Sequence, residues 1–153
     1  MSDEAKPVRR VDVAAATRAF ERARDTHAQA FGQFFLARLL GFDIAYDDET
    51  CTVAFDVEDF MFNPQGSLHG GIIVLAMDVS MGHLLARNRG PGATLELKTQ
   101  FLAPVPVGRA KAVGRALKRG RGTWFLESRF YNASGELAAF ATSTWKAPPP
   151  AAK

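Results

Sequence analysis

The sequence is poor in cysteine and in long hydrophobic runs. Cys51 is its only cysteine, so no intrachain disulfide can form. The longest unbroken apolar run, residues 72–77, is too short to cross a bilayer, and the first ten residues lack the apolar stretch of a secretory signal. We therefore expect a cytoplasmic protein with no membrane association.

Histidine is also scarce, and the motifs of metal sites and of serine hydrolases are missing. His27 and His83 have no suitable neighbour at metal-ligand spacing, so we expect surface or helix-packing residues. The Gly-x-Ser-x-Gly motif of α/β-type serine hydrolases does not occur. Cys51 has no histidine near it in sequence and is expected to be a small buried hydrophobe. The sequence predicts neither a metal nor a cofactor.

Charge is unevenly distributed, although the net charge is only +3. Every charged residue between positions 41 and 60 is acidic, and between 87 and 121 all but Glu96 are basic. This asymmetry suits an anionic ligand such as a nucleotide phosphate, and it suits equally well the solvated outer face of a sheet. Nucleic acid is not a predicted partner, because no binding motif accompanies the basic residues.

The first half of the chain predicts helices and a hairpin. Residues 12–40 have apolar residues at helical spacing, with Gly32 as a candidate break and Gly41 as a stop, which indicates one or two N-terminal helices. Residues 42–46 and 51–57 predict a β-hairpin. Residues 71–86 are apolar on nearly every face, so a helix there must be buried.

The second half predicts a sheet. Leu95, Leu97 and Phe101 alternate with polar residues, as in a half-buried strand. Strands over 107–117, 123–131 and 137–145 follow, and their links are too short for parallel crossovers. We therefore expect one α+β domain, with an antiparallel sheet wrapped around one long central helix. It would occupy residues 11–146, including the N-terminal helical segment 12–40, between a flexible N-terminus at 1–10 and a flexible tail at 147–153.

The segment 63–78 carries most of the candidate chemistry. Asp78 lies in an otherwise apolar helix, where a carboxylate is costly unless it is paired or used. A hydrogen bond to a neighbouring hydroxyl or backbone group would explain Asp78 as well as catalysis would. Gly70 and Gly71 would leave N–H groups at the helix start open to a developing oxyanion, or would simply permit tight packing.

The spacing within this segment has a geometric consequence. Gly70 and Asp78 are eight positions apart, which separates them by about 12 Å along a helix. They cannot both contact one carbonyl group. A catalytic interpretation therefore requires that they come from different subunits, in a two-fold dimer with two composite sites.

The segment resembles the active-site signature of hotdog-fold thioesterases, specifically the group related to phenylacetate-pathway and human-type acyl-CoA thioesterases. That signature is an Asn, a His-Gly-Gly six residues later, and an Asp or Glu nine residues after the His. The likeness covers roughly residues 41–146 and includes a hydroxyl residue in the strand after the helix. The matching residues are Asn63, His69, Gly70, Gly71, Asp78 and Thr94.

The resemblance implies a hotdog fold and hydrolysis of an aromatic or medium-chain acyl-CoA by a homodimer or homotetramer. Asp78 would be the general base for water, or the nucleophile that forms an anhydride. Gly70 N–H would polarise the thioester carbonyl, and Asn63 would position the water or the carboxylate. His69 would orient the loop or substrate, unless it only caps the helix. Thr94 would support Asp78, because this chain has a glycine where related enzymes with a Glu carry a hydroxyl one turn later.

Substrate-binding residues follow from the resemblance with less detail. Gly71 adjoins the predicted oxyanion site. Phe60, Met61 and Phe62 could wall the acyl pocket or belong to the core. The phosphates of CoA would be held by basic residues near the dimer contact, for which the candidates are Arg87, Arg89, Arg115, Lys118, Arg119 and Arg121.

Two other functions are compatible with such a fold. A hotdog dehydratase of hydroxyacyl thioesters would share proton transfers between a His and a carboxylate, but its motif usually resembles a proline-bearing one that Leu68-His69-Gly70 does not match. A non-catalytic acyl-CoA binder would keep the glycines and basic residues and would need no Asp78. The presence of the carboxylate favours hydrolysis.

Overall fold

Two helices form the N-terminal part of the protein, whose computed structural model describes residues 11–150. Helix α1, Val13–Thr26, begins at Asp12, whose side chain accepts a hydrogen bond from Ala15 N–H, and its buried residues are all alanines. Helix α2, Phe35–Leu39, follows a run of turns and bends. Gly32 lies in that run with φ +73°, so the predicted break is confirmed and the segment 12–40 contains two helices.

Six antiparallel strands form one sheet. They are β1 Asp43–Tyr46, β2 Thr50–Val57, β3 Ala93–Phe101, β4 Gly108–Arg119, β5 Thr123–Tyr131 and β6 Leu137–Lys146. The strand order across the sheet is β1-β2-β4-β5-β6-β3. The hairpin, the antiparallel pairing and the α+β class predicted from the sequence are confirmed, with strand bounds within two residues of those expected at most ends.

The long helix α3, Gly70–Arg89, packs against β2, β4 and β5. Its central residues are buried, as its continuous apolar surface predicts. Gly114 in β4 permits this close packing, because a Cβ atom there would lie 2.7 Å from Ser80 Oγ. By length and composition α3 could cross a membrane, but 50% of its most apolar window is buried inside the protein, as in a core helix.

The exposure of β3 differs from the predicted half-buried strand. Leu97 packs against the core, whereas Leu95 and Phe101 are 59% and 55% exposed. In the described part of the chain β3 is an edge strand that pairs only with β6, and its register shifts between Thr94 and Glu96. The shift and the free edge leave these apolar side chains uncovered, so their predicted burial is wrong for the single chain.

The C-terminal end of the described chain is packed. Ala147 is 4% exposed, and its N–H donates to the carbonyl of Gly122. Arg89 donates to the carbonyl of Pro148. The predicted flexible tail therefore begins too early, because residues 147 and 148 are held by these contacts. The flexible N-terminus predicted for residues 1–10 and the last tail residues, 151–153, lie outside the described residues.

Candidate active site

Asp78 lines a pocket of about 340 Å³, which we call the Asp78 pocket. Its side chain is half-buried, and Thr94 at the start of β3 donates a hydrogen bond from Oγ1 to Asp78 Oδ1 at 2.9 Å. The bond joins the central helix to the edge strand. The structure thus brings together the two residues that the resemblance paired, while their catalytic roles stay predictions.

The environment of Asp78 favours the protonated form of its carboxyl group more than bulk water does. Burial raises the pKa of this carboxyl above its usual value, and the hydrogen bond from Thr94 opposes that rise. A carboxylate that is partly desolvated is a stronger proton acceptor than an exposed one. Asp78 therefore has the character expected of a general base.

The N-terminus of α3 offers one free donor. His69 caps the helix, since its Nδ1 accepts from Gly71 N–H at 2.9 Å and its carbonyl accepts from Ile72 N–H. Gly71 N–H is therefore engaged within the chain. Gly70 N–H has no hydrogen-bond partner within residues 11–150, so it could bind a carbonyl oxygen as predicted.

Asn63 lies beside Gly70 and not beside Asp78. Its Oδ1 accepts from Gln65 N–H at 3.0 Å and so stabilises the loop before α3. Asn63, Gly70 and Phe101 line a second pocket, the Gly70 pocket, which contains neither Asp78 nor Thr94. The aromatic ring of Phe101 is so close to Gly70 that a Cβ atom there would lie 3.1 Å from it.

The predicted catalytic residues therefore form two groups in one chain. Asp78 and Thr94 make the first group, and Asn63, His69 and Gly70 make the second. Both Gly70 and Asp78 lie on the same continuous helix, which keeps them about 12 Å apart along its axis. A single chain thus cannot direct both groups at one carbonyl.

The aromatic candidates for the acyl pocket lie in or against the core. Met61 is 2% exposed and belongs to the main core cluster. Phe60 and Phe62 are partly buried and pack against that cluster. The core interpretation of these three residues is thus the one that the contacts support.

Several basic residues pair with the acidic segment across the sheet. Arg109 in β4 forms ion pairs with Asp43 in β1 and Asp56 in β2. Arg119 pairs with Glu49 at 3.1 Å. The acidic and basic stretches of the sequence thus lie on neighbouring strands. Part of the charge asymmetry is therefore explained by ion pairs between them on an exposed face.

The other candidates for CoA binding differ in availability. Arg115 pairs with the buried Glu127, and Arg89 donates to two backbone carbonyls, so both are engaged. Arg87 lies with its guanidinium carbon 4.8 Å from the centre of the Tyr46 ring. Lys118 and Arg121 are exposed residues. These contacts leave Arg87, Lys118 and Arg121 as the better candidates for binding phosphate.

Most residues in the walls of the Asp78 pocket were not predicted as site residues from the sequence. One wall comes from the turns between α1 and α2, and another from the middle of α3 and the end of β6. No local sequence pattern predicts that these residues line one pocket, because they come together only when the chain folds. Besides Asp78, they are Gln29, Ala30, Phe31, Phe34, Val79, Gly82, His83, Gly92 and Trp145.

The remaining candidate residues have structural explanations. Cys51 is fully buried, and burial raises the pKa of its thiol to about 12, as expected for a residue that is not a nucleophile. His27 contacts the carbonyl of Ala23 through Nδ1 at the end of α1. His83 is buried and packs against Phe31 in the turns between α1 and α2. Within residues 11–150, no three His, Cys, Asp or Glu side chains converge as metal ligands would.

Comparison with known sequences gives one family and one relative. Residues 65–139 match the model of the thioesterase superfamily. A proposed esterase of Saccharolobus solfataricus is 37% identical over 82 residues, which are 52% of this chain and 59% of that protein. The chain thus matches little more than half the length of this curated relative.

Solved structures resemble nearly the whole chain. A Bacillus halodurans protein solved with CoA has a TM-score of 0.77 at 20% identity, covering 95% of this chain and 97% of its own. A mutant thioesterase of Pseudomonas aeruginosa has a TM-score of 0.69 at 26% identity, covering 85% and 94%. The narrower likeness to the phenylacetate-pathway group stays a prediction. The chain has the hotdog fold, and its residues 65–139 carry the sequence pattern of the thioesterase superfamily.

Proposed function

We propose that this protein is an acyl-CoA thioesterase that acts as a two-fold dimer, with Asp78 as its central catalytic group. The observation that carries the proposal is the half-buried carboxylate of Asp78, which is bonded to Thr94 and lines a largely apolar pocket. A carboxylate on a core helix is costly to bury, and its retention at a pocket wall is typical of a functional group.

The reaction would use the two residue groups from different subunits. Asp78 would take a proton from water while the water oxygen adds to the thioester carbonyl carbon, or would itself attack that carbon to give an anhydride that water then hydrolyses. The carbonyl oxygen would become an oxyanion bound by the N–H of Gly70 of the partner subunit. Breakage of the C–S bond would release the CoA thiolate, which would take up the proton.

The edge strand β3 supports a dimer of this kind. Within residues 11–150 no strand lies on its outer side, and Leu95, Phe101 and Leu102 are each more than half exposed. Phe101 also lines the Gly70 pocket, so the apolar edge and the free donor are adjacent. Burial of this edge against a second copy of the chain would remove apolar surface from water. It would also bring the Gly70 pocket of the partner subunit towards Asp78.

CoA is the proposed carrier of the acyl group. One structural neighbour was solved with CoA, and Arg87 follows Asp78 along the same helix, so a basic side chain is available near the pocket. Lys118 and Arg121 add exposed positive charge on and after β4. Such residues would bind phosphate groups of the carrier. We also propose a cytoplasmic location, where acyl-CoA is made and used.

The test is thiol release from benzoyl-, phenylacetyl-, butyryl- and palmitoyl-CoA by wild type, Asp78→Asn and the matched control Asp48→Asn, which changes an exposed loop carboxylate. Loss of general base catalysis lowers rates by about 10²–10⁴-fold, so Asp78→Asn should lose at least a hundredfold in kcat while the control keeps wild-type activity. Tight binding of acyl-CoA without thiol release would identify a non-catalytic binder and overturn the proposal. Dehydration of a hydroxyacyl-CoA without thiol release would identify a dehydratase.

A further inference from the structure

The Asp78 pocket is mostly apolar, and it contains one buried polar side chain that the catalytic proposal does not use. Phe34, Val79 and Trp145 supply apolar walls, and the absence of a side chain at Gly82 lets the Trp145 ring pack directly against α3, since a Cβ atom there would lie 2.6 Å from it. The polar exception is His83, which lines the same pocket and is only 4% exposed. A buried imidazole is costly unless its nitrogens have partners.

Only one nitrogen of His83 has a partner. Nδ1 lies 2.8 Å from the hydroxyl of Tyr46 in β1. Nε2 has no hydrogen-bond partner within residues 11–150, and it is not sealed from solvent as the unpartnered Nε1 of Trp145 is. Since His83 lines the pocket and its Nδ1 is engaged by Tyr46, Nε2 is the ring nitrogen that is left for a bound acyl group.

The contact with Tyr46 favours one of the two neutral tautomers of His83. A phenol is a much stronger acid than a neutral imidazole N–H, which favours Tyr46 as the donor and His83 Nδ1 as the acceptor. Burial raises the pKa of the Tyr46 phenol, and the guanidinium of Arg87 over its ring partly offsets that rise. Burial lowers the pKa of His83, which favours the neutral ring. In the favoured tautomer the single ring proton is on Nε2, which can then donate a hydrogen bond into the pocket.

The ring of His83 is also held in place. Phe31, from the turns between α1 and α2, packs edge-on against it with ring centres 5.0 Å apart. Gly32 lies beside the same ring, since a Cβ atom there would be 3.6 Å from His83 Cε1. A donor that is fixed by packing and by a hydrogen bond loses little entropy when it binds a ligand atom.

We propose that His83 is a specificity-determining residue, which donates a hydrogen bond from Nε2 to an oxygen atom at the far end of the acyl group. This inference rests on the proposed thioesterase function. Asp78 and His83 are five residues apart on α3, or about 7.5 Å along the helix axis. This axial separation, between two residues that line the same pocket, is of the size of one aromatic ring or a short carbon chain. The preferred substrates are thus short acyl-CoAs with an apolar body and a hydroxyl, ether or carbonyl oxygen at the end.

Substrates that lack an oxygen atom at the far end of the acyl group should be hydrolysed less efficiently. An unsubstituted acyl group would exclude water from Nε2 and leave a buried donor without an acceptor. That loss is about 1–3 kcal/mol, which corresponds to about fivefold to about 150-fold in kcat/KM. A medium-length alkyl chain fits the apolar walls but incurs the same loss, so the preference should hold for aromatic and for alkyl substrates.

The experiment compares matched pairs of thioesters with wild type, His83→Gln and His83→Phe. The pairs are phenylacetyl- with 4-hydroxyphenylacetyl-CoA and hexanoyl- with 6-hydroxyhexanoyl-CoA. We expect wild type to prefer the oxygenated member at least about fivefold in kcat/KM. His83→Phe should abolish or invert the preference but still hydrolyse the unsubstituted member, and His83→Gln, which keeps an N–H donor, should retain part of it. 4-Methoxyphenylacetyl-CoA, whose ether oxygen only accepts, should also be preferred by wild type.

The outcomes separate this inference from the proposed function. If wild type hydrolyses both members of each pair equally, or if His83→Phe keeps the wild-type preference, His83 does not determine specificity and the thioesterase proposal still stands. If wild type releases no thiol from any member, the thioesterase proposal fails and this inference fails with it. Thermal unfolding of both variants checks that a changed ratio does not come from misfolding, because a misfolded variant would lose activity on both members together.

Discussion

Removal of the Thr94 hydroxyl is the sharpest test of how Asp78 is tuned. Thr94→Val keeps the shape of the side chain and deletes the donor that bonds Asp78 Oδ1 at 2.9 Å. A hydrogen bond to a charged group contributes about 1.5–3 kcal/mol, and the lower end applies because Thr94 is exposed. The bond also orients the carboxylate towards the reacting atoms, and a loss of about 1.4 kcal/mol of this orientation in the transition state corresponds to a tenfold loss in rate. We therefore expect kcat/KM to fall about tenfold.

The pH profile distinguishes this cause from a simple loss of packing. The bond from Thr94 stabilises the ionised carboxylate and lowers the pKa of Asp78, so its removal must raise that pKa. The acidic limb of the kcat/KM profile should move to higher pH in Thr94→Val. Thr94→Ser, which keeps the hydroxyl, is the matched control and should keep the wild-type limb. An unchanged limb in Thr94→Val would refute the tuning role even if the rate fell.

Three further predictions follow from burial and exposure. Because burial raises the pKa of Asp78, the folded protein binds this proton more tightly than the unfolded chain, so ionisation lowers stability above the folded pKa. Asp78→Asn should therefore raise Tm at neutral pH, with a gain that shrinks as pH falls through that pKa; equal Tm values at neutral pH would contradict this. Leu95→Asp should dissociate the proposed dimer in light scattering, whereas the equally exposed Leu117→Asp on β4 should leave the mass unchanged; a dimeric Leu95→Asp protein would exclude pairing through β3. Cys51 should react with a thiol reagent only after denaturation, and rapid labelling of native protein would show that its burial is wrong.

The elements that the sequence predicted well have strong local signals. The apolar surface of α3, the alternation in β4 to β6 and the glycine-rich turns all reflect interactions close in sequence. Gly32, which interrupts the helical pattern and was predicted as a break, has φ +73°, a conformation that favours glycine. The pairing of Asp78 with Thr94 came only from the resemblance, since no periodicity relates a helix residue to a strand sixteen positions later.

The features that the sequence did not predict depend on contacts between distant segments. Arg109 meets Asp43 and Asp56 because β1, β2 and β4 are neighbours in the sheet, which the linear charge pattern does not encode. The exposure of Leu95 depends on β3 being at the edge and on its register shift. The partnership of His83 with Tyr46 likewise joins a helix to the opposite edge strand.

The alanine face of α1 has a consequence for how the Asp78 pocket opens. Helix α1 buries only Ala15, Ala19 and Ala23, and it packs mainly on α2. Small side chains remove little apolar surface from water, so detaching α1 exposes far less of it than separating α3 from the sheet does. Local unfolding of α1 is therefore the expected low-energy excursion of the described chain, and amide hydrogens of α1 should exchange long before those of α3 and β5. Since the turns after α1 wall the pocket, this excursion would admit an acyl group from the side while Asp78 stays fixed on the slowly exchanging core.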